Sequence, residues 1–311
     1  MSPAEQLFWS RVTNRARGQQ PEIARALLKA LERLRLSYSE AEIARLIQSG
    51  EAYRIVEVAF NDAKLQQAYA PVRDKIRYGV QEGFTFTARD LPKQKTIQVA
   101  FDILTPQVRE AIQQLETKVI TTLKESIRET VRQHVAAGIE AGKAPKAIAK
   151  GLRDVIGLAP NQEQAVRNFE AALRSGDAAK ALGYQLRDRR FDKSLKSGTF
   201  TDEKIDRMVT AYRKRMVAWN AETNARTAQL DSMKLGQKLA IDDAVKLGVY
   251  DPKRLVKTWV GVMDERERPE HVAMEAETVL YQMPYSNGED IPGESTFNCR
   301  CLSRYHQLRT T

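Results

Sequence analysis

Residues 105–142 read TPQVREAIQQLETKVITTLKESIRETVRQHVAAGIEAG and carry the clearest structural pattern in the chain. Thr105 is a typical N-cap residue, and Pro106 is favoured at the first position of a helix. The segment therefore predicts one helix that ends at Gly142 and is about 55 Å long, at a rise of ~1.5 Å per residue. Its apolar residues recur at steps of three or four: Val108, Ile112, Leu115, Val119, Leu123, Ile127, Val131, Val135 and Ile139.

This long helix has to bury its apolar stripe. A single stripe is not stable in water, so we expect it to pack on other helices of this chain or on a neighbouring molecule. A coiled coil is one alternative, but the repeated steps of four drift away from a strict heptad and favour bundle packing. The pattern therefore predicts a mainly α fold, an extended helical bundle with long helices.

The composition agrees with amphipathic helices. Of 311 residues, 42% are hydrophobic, 7% are aromatic and 29% are charged, which suits narrow apolar stripes better than one thick core. No run approaches the ~18 apolar residues of a membrane span, and the first residues lack a secretory signal. The two cysteines are too close in sequence to form a disulfide framework. We therefore expect a protein made in a reducing cytoplasm, with no membrane contact.

The chain length predicts two or three domains. We place an N-terminal helical region at residues 1–100, a long-helix bundle with a basic patch at 101–250 and a small domain at 251–311. Pro21 is expected in the first turn of a helix, and Pro71 is expected to kink or restart one. The weak alternation of residues 84–91 predicts a short strand or an extended loop there.

The most basic stretch lies between residues 180 and 215, where eleven Lys/Arg face five Asp/Glu. Such a patch can neutralise phosphates without reading base sequence, so double-stranded DNA is one candidate partner and an acidic protein surface is another. The competing interpretation is a solvated helix face. The candidate contact residues are Arg187, Arg189, Arg190, Lys193, Lys196, Arg213, Lys214 and Arg215.

Residues 251–311 predict β-strands rather than long helices. Residues 255–262 are rich in β-branched and aromatic residues and predict a strand, and residues 301–306 alternate and are expected to pair with it. Arg268-Pro269 predicts a helix start between them. The segment 251–311 is thus predicted to be a small α+β domain.

This small domain gathers residues that can bind a metal. Two thiolates, an imidazole and a carboxylate are acceptable tetrahedral zinc ligands. A domain this small buries little apolar surface, so a bound metal ion would stabilise its fold. The alternative is that one cysteine packs in the core while the histidine bonds to the carboxylate or to a backbone carbonyl. The candidate ligands of a structural zinc are Asp264, His271, Cys299 and Cys301.

Four short motifs of the terminal segment occur in an order that is similar to that of a known protein family. In chain order they are Thr258-Trp259-Val260, DERERPEH from Asp264 to His271, Pro292-Gly293 and Asn298-Cys-Arg-Cys301. Their order resembles the C-terminal domain of the phage head-morphogenesis family, the Mu F-like minor head proteins. The resemblance is most specific over residues 255–305. It implies a minor structural protein of a tailed-phage head, made in the host cytoplasm and carried in the virion.

The same resemblance implies partners. They are the portal or the major capsid protein, packaged DNA, and other copies of the chain within the virion. Two other functions stay open: a DNA-binding ejection or packaging factor, and a metal-dependent nuclease or toxin. We expect no enzyme, because the sequence has no phosphate-cradling glycine loop, no G-x-S-x-G and no H-E-x-x-H.

Overall fold

The computed structural model of the chain describes residues 3–92, 99–198 and 200–308. It confirms a mainly helical fold with long helices and a small α+β part near the C-terminus. The helices are α1 (Pro3–Leu36), α2 (Glu40–Gln48), α3 (Ile55–Ala59), α4 (Asp62–Asp90), α5 (Pro106–Glu140), α6 (Pro145–Val155), α7 (Pro160–Arg174), α8 (Ala178–Gly183), α9 (Asp192–Ser197), α10 (Asp202–Lys246) and α11 (Pro269–Val272). The strands are β1 (Leu255–Val260), β2 (Thr278–Leu280) and β3 (Leu302–Gln307).

The chain divides into two compact units, and each of the four longest helices contributes residues to both. The first unit consists of Met1–Ile23, Val72–Val119 and Thr223–Thr311, and the second of Ala24–Pro71 and Ile120–Glu222. These units differ from the consecutive ranges 1–100, 101–250 and 251–311 predicted from the sequence. Those ranges include residues 1–2, 93–98, 199 and 309–311, which lie outside the described residues.

Two expectations about helix ends are wrong. Pro21 does not start a helix but lies inside α1, although it lacks the N–H of a helical hydrogen bond. The helix α4 does not restart at Pro71, which also lies inside it. Residues 84–91 are neither strand nor loop, because α4 continues to Asp90. The buried residues Val72, Ile76, Val80 and Phe84 follow one another at steps of four, and this helical period overrides the weak alternation.

The first unit is built on a close approach of α4 and α10. A β-carbon added to Gly236 would lie 2.1 Å from the Val80 carbonyl oxygen, and one added to Gly83 would lie 2.4 Å from the Met233 carbonyl oxygen. Only glycine allows two helix backbones to come this near. Beside this crossing, α1, α10 and β3 share an apolar cluster of Val12, Ala16, Leu230, Met233 and Leu302.

The terminal sheet also belongs to the first unit. Its strand order is β2-β1-β3 and both pairings are antiparallel, which confirms the predicted pairing of residues 255–262 with 301–306. All six residues of the central strand β1 are buried. One of them is Lys257, whose ammonium donates to the Asp290 carbonyl oxygen at 2.8 Å and lies 4.9 Å from the centre of the Tyr285 ring.

The second unit has its own core. Phe169 lies 5.2 Å from Tyr184 and 4.6 Å from Tyr212, measured between ring centres. The Asn220 amide nitrogen donates to the Gly157 carbonyl oxygen at 2.8 Å, which ties α10 to the turn between α6 and α7. None of the described helices has an apolar stretch of the length and composition needed to cross a lipid bilayer.

Candidate metal centre

Three of the four predicted ligands meet in the terminal part of the first unit. His271 comes from the short helix α11, and Cys299 and Cys301 come from the segment that leads into β3. Their side chains are 4%, 2% and 1% exposed, so all three are shielded from water. The three donor atoms lie within 4.8 Å of one another, and the group can therefore hold a metal ion.

The distances within this group are short. The Cys299 sulfur lies 3.7 Å from the His271 Nδ1 atom, and the Cys301 sulfur lies 3.5 Å from the same nitrogen. One imidazole nitrogen therefore faces both sulfurs.

The apolar core around the group fixes the imidazole. The ring of Trp259, on β1, meets the His271 ring edge-on with centres 5.4 Å apart, and it meets Tyr285 in the same way at 5.1 Å. Trp259, Met274, Tyr285 and both cysteines form one buried cluster. The tryptophan, the histidine and the cysteine pair of the sequence pattern are thus neighbours in space.

The carboxylate beside the cysteines is Glu267, which was not predicted. Its Oε1 atom lies 2.9 Å from the Cys301 sulfur. Its Oε2 atom accepts a hydrogen bond from the backbone N–H of Val262 at 2.7 Å and another from that of Met263. These backbone bonds hold the carboxylate against the sulfur. The DERE run contains three acidic residues, at 264, 265 and 267, and no sequence signal singles out Glu267.

Asp264 has a different partner. Its two oxygens accept from the Arg300 guanidinium at 2.6 and 2.5 Å, and the structure does not place it in the His271 group. The hydrogen bond from Arg300 lowers the pKa of Asp264 to about 2. This pair connects the 264–267 loop to the cysteine segment.

A buried lysine lies behind the cysteines. Lys234, on α10, is 3% exposed and donates to the Pro292 carbonyl oxygen at 2.8 Å and to the Cys299 carbonyl oxygen at 3.2 Å. Burial would lower the pKa of Lys234, but the negative charges at Cys299 and Asp231 outweigh burial and raise it. Sequence reasoning missed this residue because α10 lies far upstream of the cysteines.

The two thiols differ in acidity. The hydrogen bond from the Cys301 thiol lowers the pKa of Cys299 to about 6 against the effect of burial, and Lys234 lowers it further. The same hydrogen bond and burial raise the pKa of Cys301. Metal ions bind cysteine as the thiolate, so metal binding would have to displace the proton of Cys301.

The predicted basic contact residues lie in the second unit, and half of them are engaged within the fold. Asp192 binds Arg187 through two bonds of 2.9 and 3.0 Å, and the buried Asp188 binds Arg190 at 2.7 Å and Arg215 at 3.2 Å. A further pair joins Arg213 to Asp154 at 3.6 Å. Among the described residues, no ion pair involves the four exposed cations Arg189, Lys193, Lys196 and Lys214.

We expect the change Asp188→Asn to destabilise the second unit by roughly 1–3 kcal/mol, because it removes charge-assisted bonds to two arginines. Hydrogen bonding from Arg190 lowers the folded-state pKa of Asp188 to about 2. The stabilisation is therefore complete above the ordinary pKa of 3.8 and is lost as the pH falls towards 2. Urea unfolding at pH 7 and at pH 3 measures both effects.

The matched control for that change is Asp154→Asn, which removes an exposed carboxylate from a longer ion pair. Exposed pairs contribute about 0–1 kcal/mol, so this control should unfold almost as the parent does. Equal losses in both variants would show that Asp188 has no special structural role.

Comparison of the chain with models of protein families, with curated proteins and with solved structures finds no match.

Proposed function

We propose that the chain is a minor structural protein of a tailed-phage head and takes part in head assembly. In this proposal a structural zinc ion stabilises its terminal part. The observation that carries this proposal is the single buried cluster that contains Trp259, Cys299 and Cys301 and packs against His271. These are the residues on which the resemblance to the Mu F-like minor head proteins rests. Their placement in one core supports the interpretation of that pattern as one structural module.

The spacing of the donor atoms supports zinc. With Zn–S near 2.3 Å and Zn–N near 2.0–2.1 Å, tetrahedral geometry puts a sulfur and a nitrogen ligand about 3.6 Å apart. The two sulfur–nitrogen distances here are 3.7 and 3.5 Å. Thiolate and imidazole ligands together suit zinc better than calcium or magnesium, which prefer oxygen.

We assign Glu267 as the fourth ligand. It is half-buried and lies outside the group of three donors within 4.8 Å of one another, so its carboxylate would move towards the ion on binding. Its Oε1 atom is already beside the Cys301 sulfur, and its other oxygen is held by backbone N–H groups. Four protein ligands would close the site, which is typical of structural zinc, whereas catalytic zinc keeps a position open for water. We therefore favour a structural role over the nuclease or toxin alternative.

The proposed partners follow from the head assignment. They are the portal or major capsid protein, with further copies of the chain in the virion, and the host cytoplasm is the place of assembly. DNA contact through the basic segment is the second candidate. It is the weaker one, because the ion pairs of Arg187, Arg190, Arg213 and Arg215 offset part of the charge.

The test is incorporation into phage particles. A tagged chain is expressed in the phage-producing host, and DNA-free proheads and filled heads are separated on density gradients. We expect the chain in both fractions, because a head protein enters before DNA. Its absence from both fractions would contradict the proposal, and its presence only in filled heads would favour the DNA-binding alternative.

A further inference from the structure

A cavity of about 540 Å³ lies within the first unit, outside the metal group. Its walls come from α1, from α10 and from the loops around residues 262–268 and 298–300. The volume falls within the ~300–1,000 Å³ range of small-molecule sites.

The lining of this cavity is unusually rich in arginine. Five guanidinium groups, those of Arg17, Arg226, Arg266, Arg268 and Arg300, face one carboxylate, that of Asp264. Five positive charges against one negative charge leave a net charge of +4 at the cavity wall. Like charges held this close raise the local affinity for an anion.

Contacts within the unit hold three of the five arginines in place. Arg226 donates to the Asn298 side-chain oxygen at 2.9 and 3.2 Å, and Arg268 donates to the Phe297 carbonyl oxygen at 2.9 Å. Arg300 is bound to Asp264 through two bonds. A wall fixed in this way need not be ordered when a ligand binds, which removes part of the entropic cost of binding.

One aromatic side chain completes the wall. Trp9, on α1, donates its indole N–H to the Arg300 carbonyl oxygen at 3.0 Å and packs against the apolar cluster of the unit. An indole ring beside several guanidinium groups combines the two features that bind nucleotides: a surface on which a base can stack, and forked donors for phosphate.

We propose that this arginine-lined cavity binds a phosphate-bearing ligand of nucleotide size. The ligand is either a free mononucleotide or the terminal nucleotide of a single strand, since a duplex is too wide to enter. A phosphate monoester brings about −1.5 to −2 charges and three acceptor oxygens, whereas a carboxylate brings one charge and two oxygens. The wall charge of +4 is therefore better matched by phosphate. This inference does not depend on the proposed role in the phage head.

Isothermal titration of the full chain at fixed ionic strength tests the proposal. The probes are adenosine monophosphate, a short single-stranded oligothymidylate with a 5′-phosphate, and a glutamate-rich peptide as the carboxylate comparison. We expect one of the two phosphate probes to bind and the peptide to bind at least about tenfold more weakly, a difference of ~1.4 kcal/mol. The tighter phosphate probe identifies the source of the ligand.

The variants locate the binding. Arg17 and Arg266 are exposed at the cavity wall, so their joint replacement by alanine should leave the fold intact. We expect this double variant to weaken phosphate binding at least about tenfold. The control is Arg33→Ala, which removes an exposed arginine of the second unit that lies outside the basic segment 180–215 and should change nothing. Failure of both phosphate probes to bind, equal binding of the peptide, or no effect of the double variant would overturn the proposal.

Discussion

Replacement of His271 by alanine is expected to destabilise the first unit by more than about 3 kcal/mol and to abolish metal binding. The change removes one donor from a buried group and leaves two cysteines and a buried lysine behind it. Loss of one partner from a buried charged network costs about 3–5 kcal/mol, and a structural zinc contributes folding free energy in addition. Urea unfolding with and without a chelator measures the two contributions.

The matched control for this prediction is His306→Gln. His306 lies on β3 in the same terminal segment, pairs with Val256 across the sheet and is not part of the metal group. Its replacement should cost no more than about 1 kcal/mol and should leave the chelator effect unchanged. If the His271 variant retained the full chelator-sensitive stability, the ligand assignment would be wrong.

The second large effect is expected from Gly236→Ala. An added β-carbon would lie 2.1 Å from the Val80 carbonyl oxygen and 2.6 Å from the Phe84 amide nitrogen, which are backbone atoms that cannot rotate away. The helices α4 and α10 would have to separate, and overpacking of this kind costs about 1–3 kcal/mol and occasionally more. We expect a loss near or above the upper end of that range in urea unfolding.

Gly18→Ala is the control for that change. Gly18 lies inside α1, and nothing stands within 4 Å of an added β-carbon. Because alanine is the better helix former, this variant should be stabilised by up to about 1 kcal/mol. Destabilisation by both substitutions would show that the close helix crossing is not the cause.

Helix spacing was the most informative part of the sequence. The steps of three and four in residues 105–142 predict a helix, and α5 runs from Pro106 to Glu140. The strands β1 and β3 of the terminal domain were also predictable, because residue composition and the alternation of apolar and polar residues can be read from a short stretch of sequence. The edge strand β2 was not predicted, because it has only three residues and two of them are exposed.

The sequence alone does not show which contacts form when several residues are chemically similar or lie far apart along the chain. Proline marks a helix boundary in general, but packing keeps α1 and α4 continuous through Pro21 and Pro71. Asp264 and Glu267 are both acidic, and only the backbone fold around residues 261–263 decides which of them meets Cys301. The arginine-lined cavity brings together Trp9 and Arg300, which are 291 positions apart.

The central claim is that the terminal segment is a module organised around a metal ion. Its most direct test is the metal content of the full chain, purified without chelator and measured by inductively coupled plasma mass spectrometry, beside that of the variant Cys301→Ser. We predict about one zinc per chain in the parent protein and none above background in the variant. A parent protein that takes up no zinc even after refolding with it, or a variant that retains the same amount, would contradict the claim.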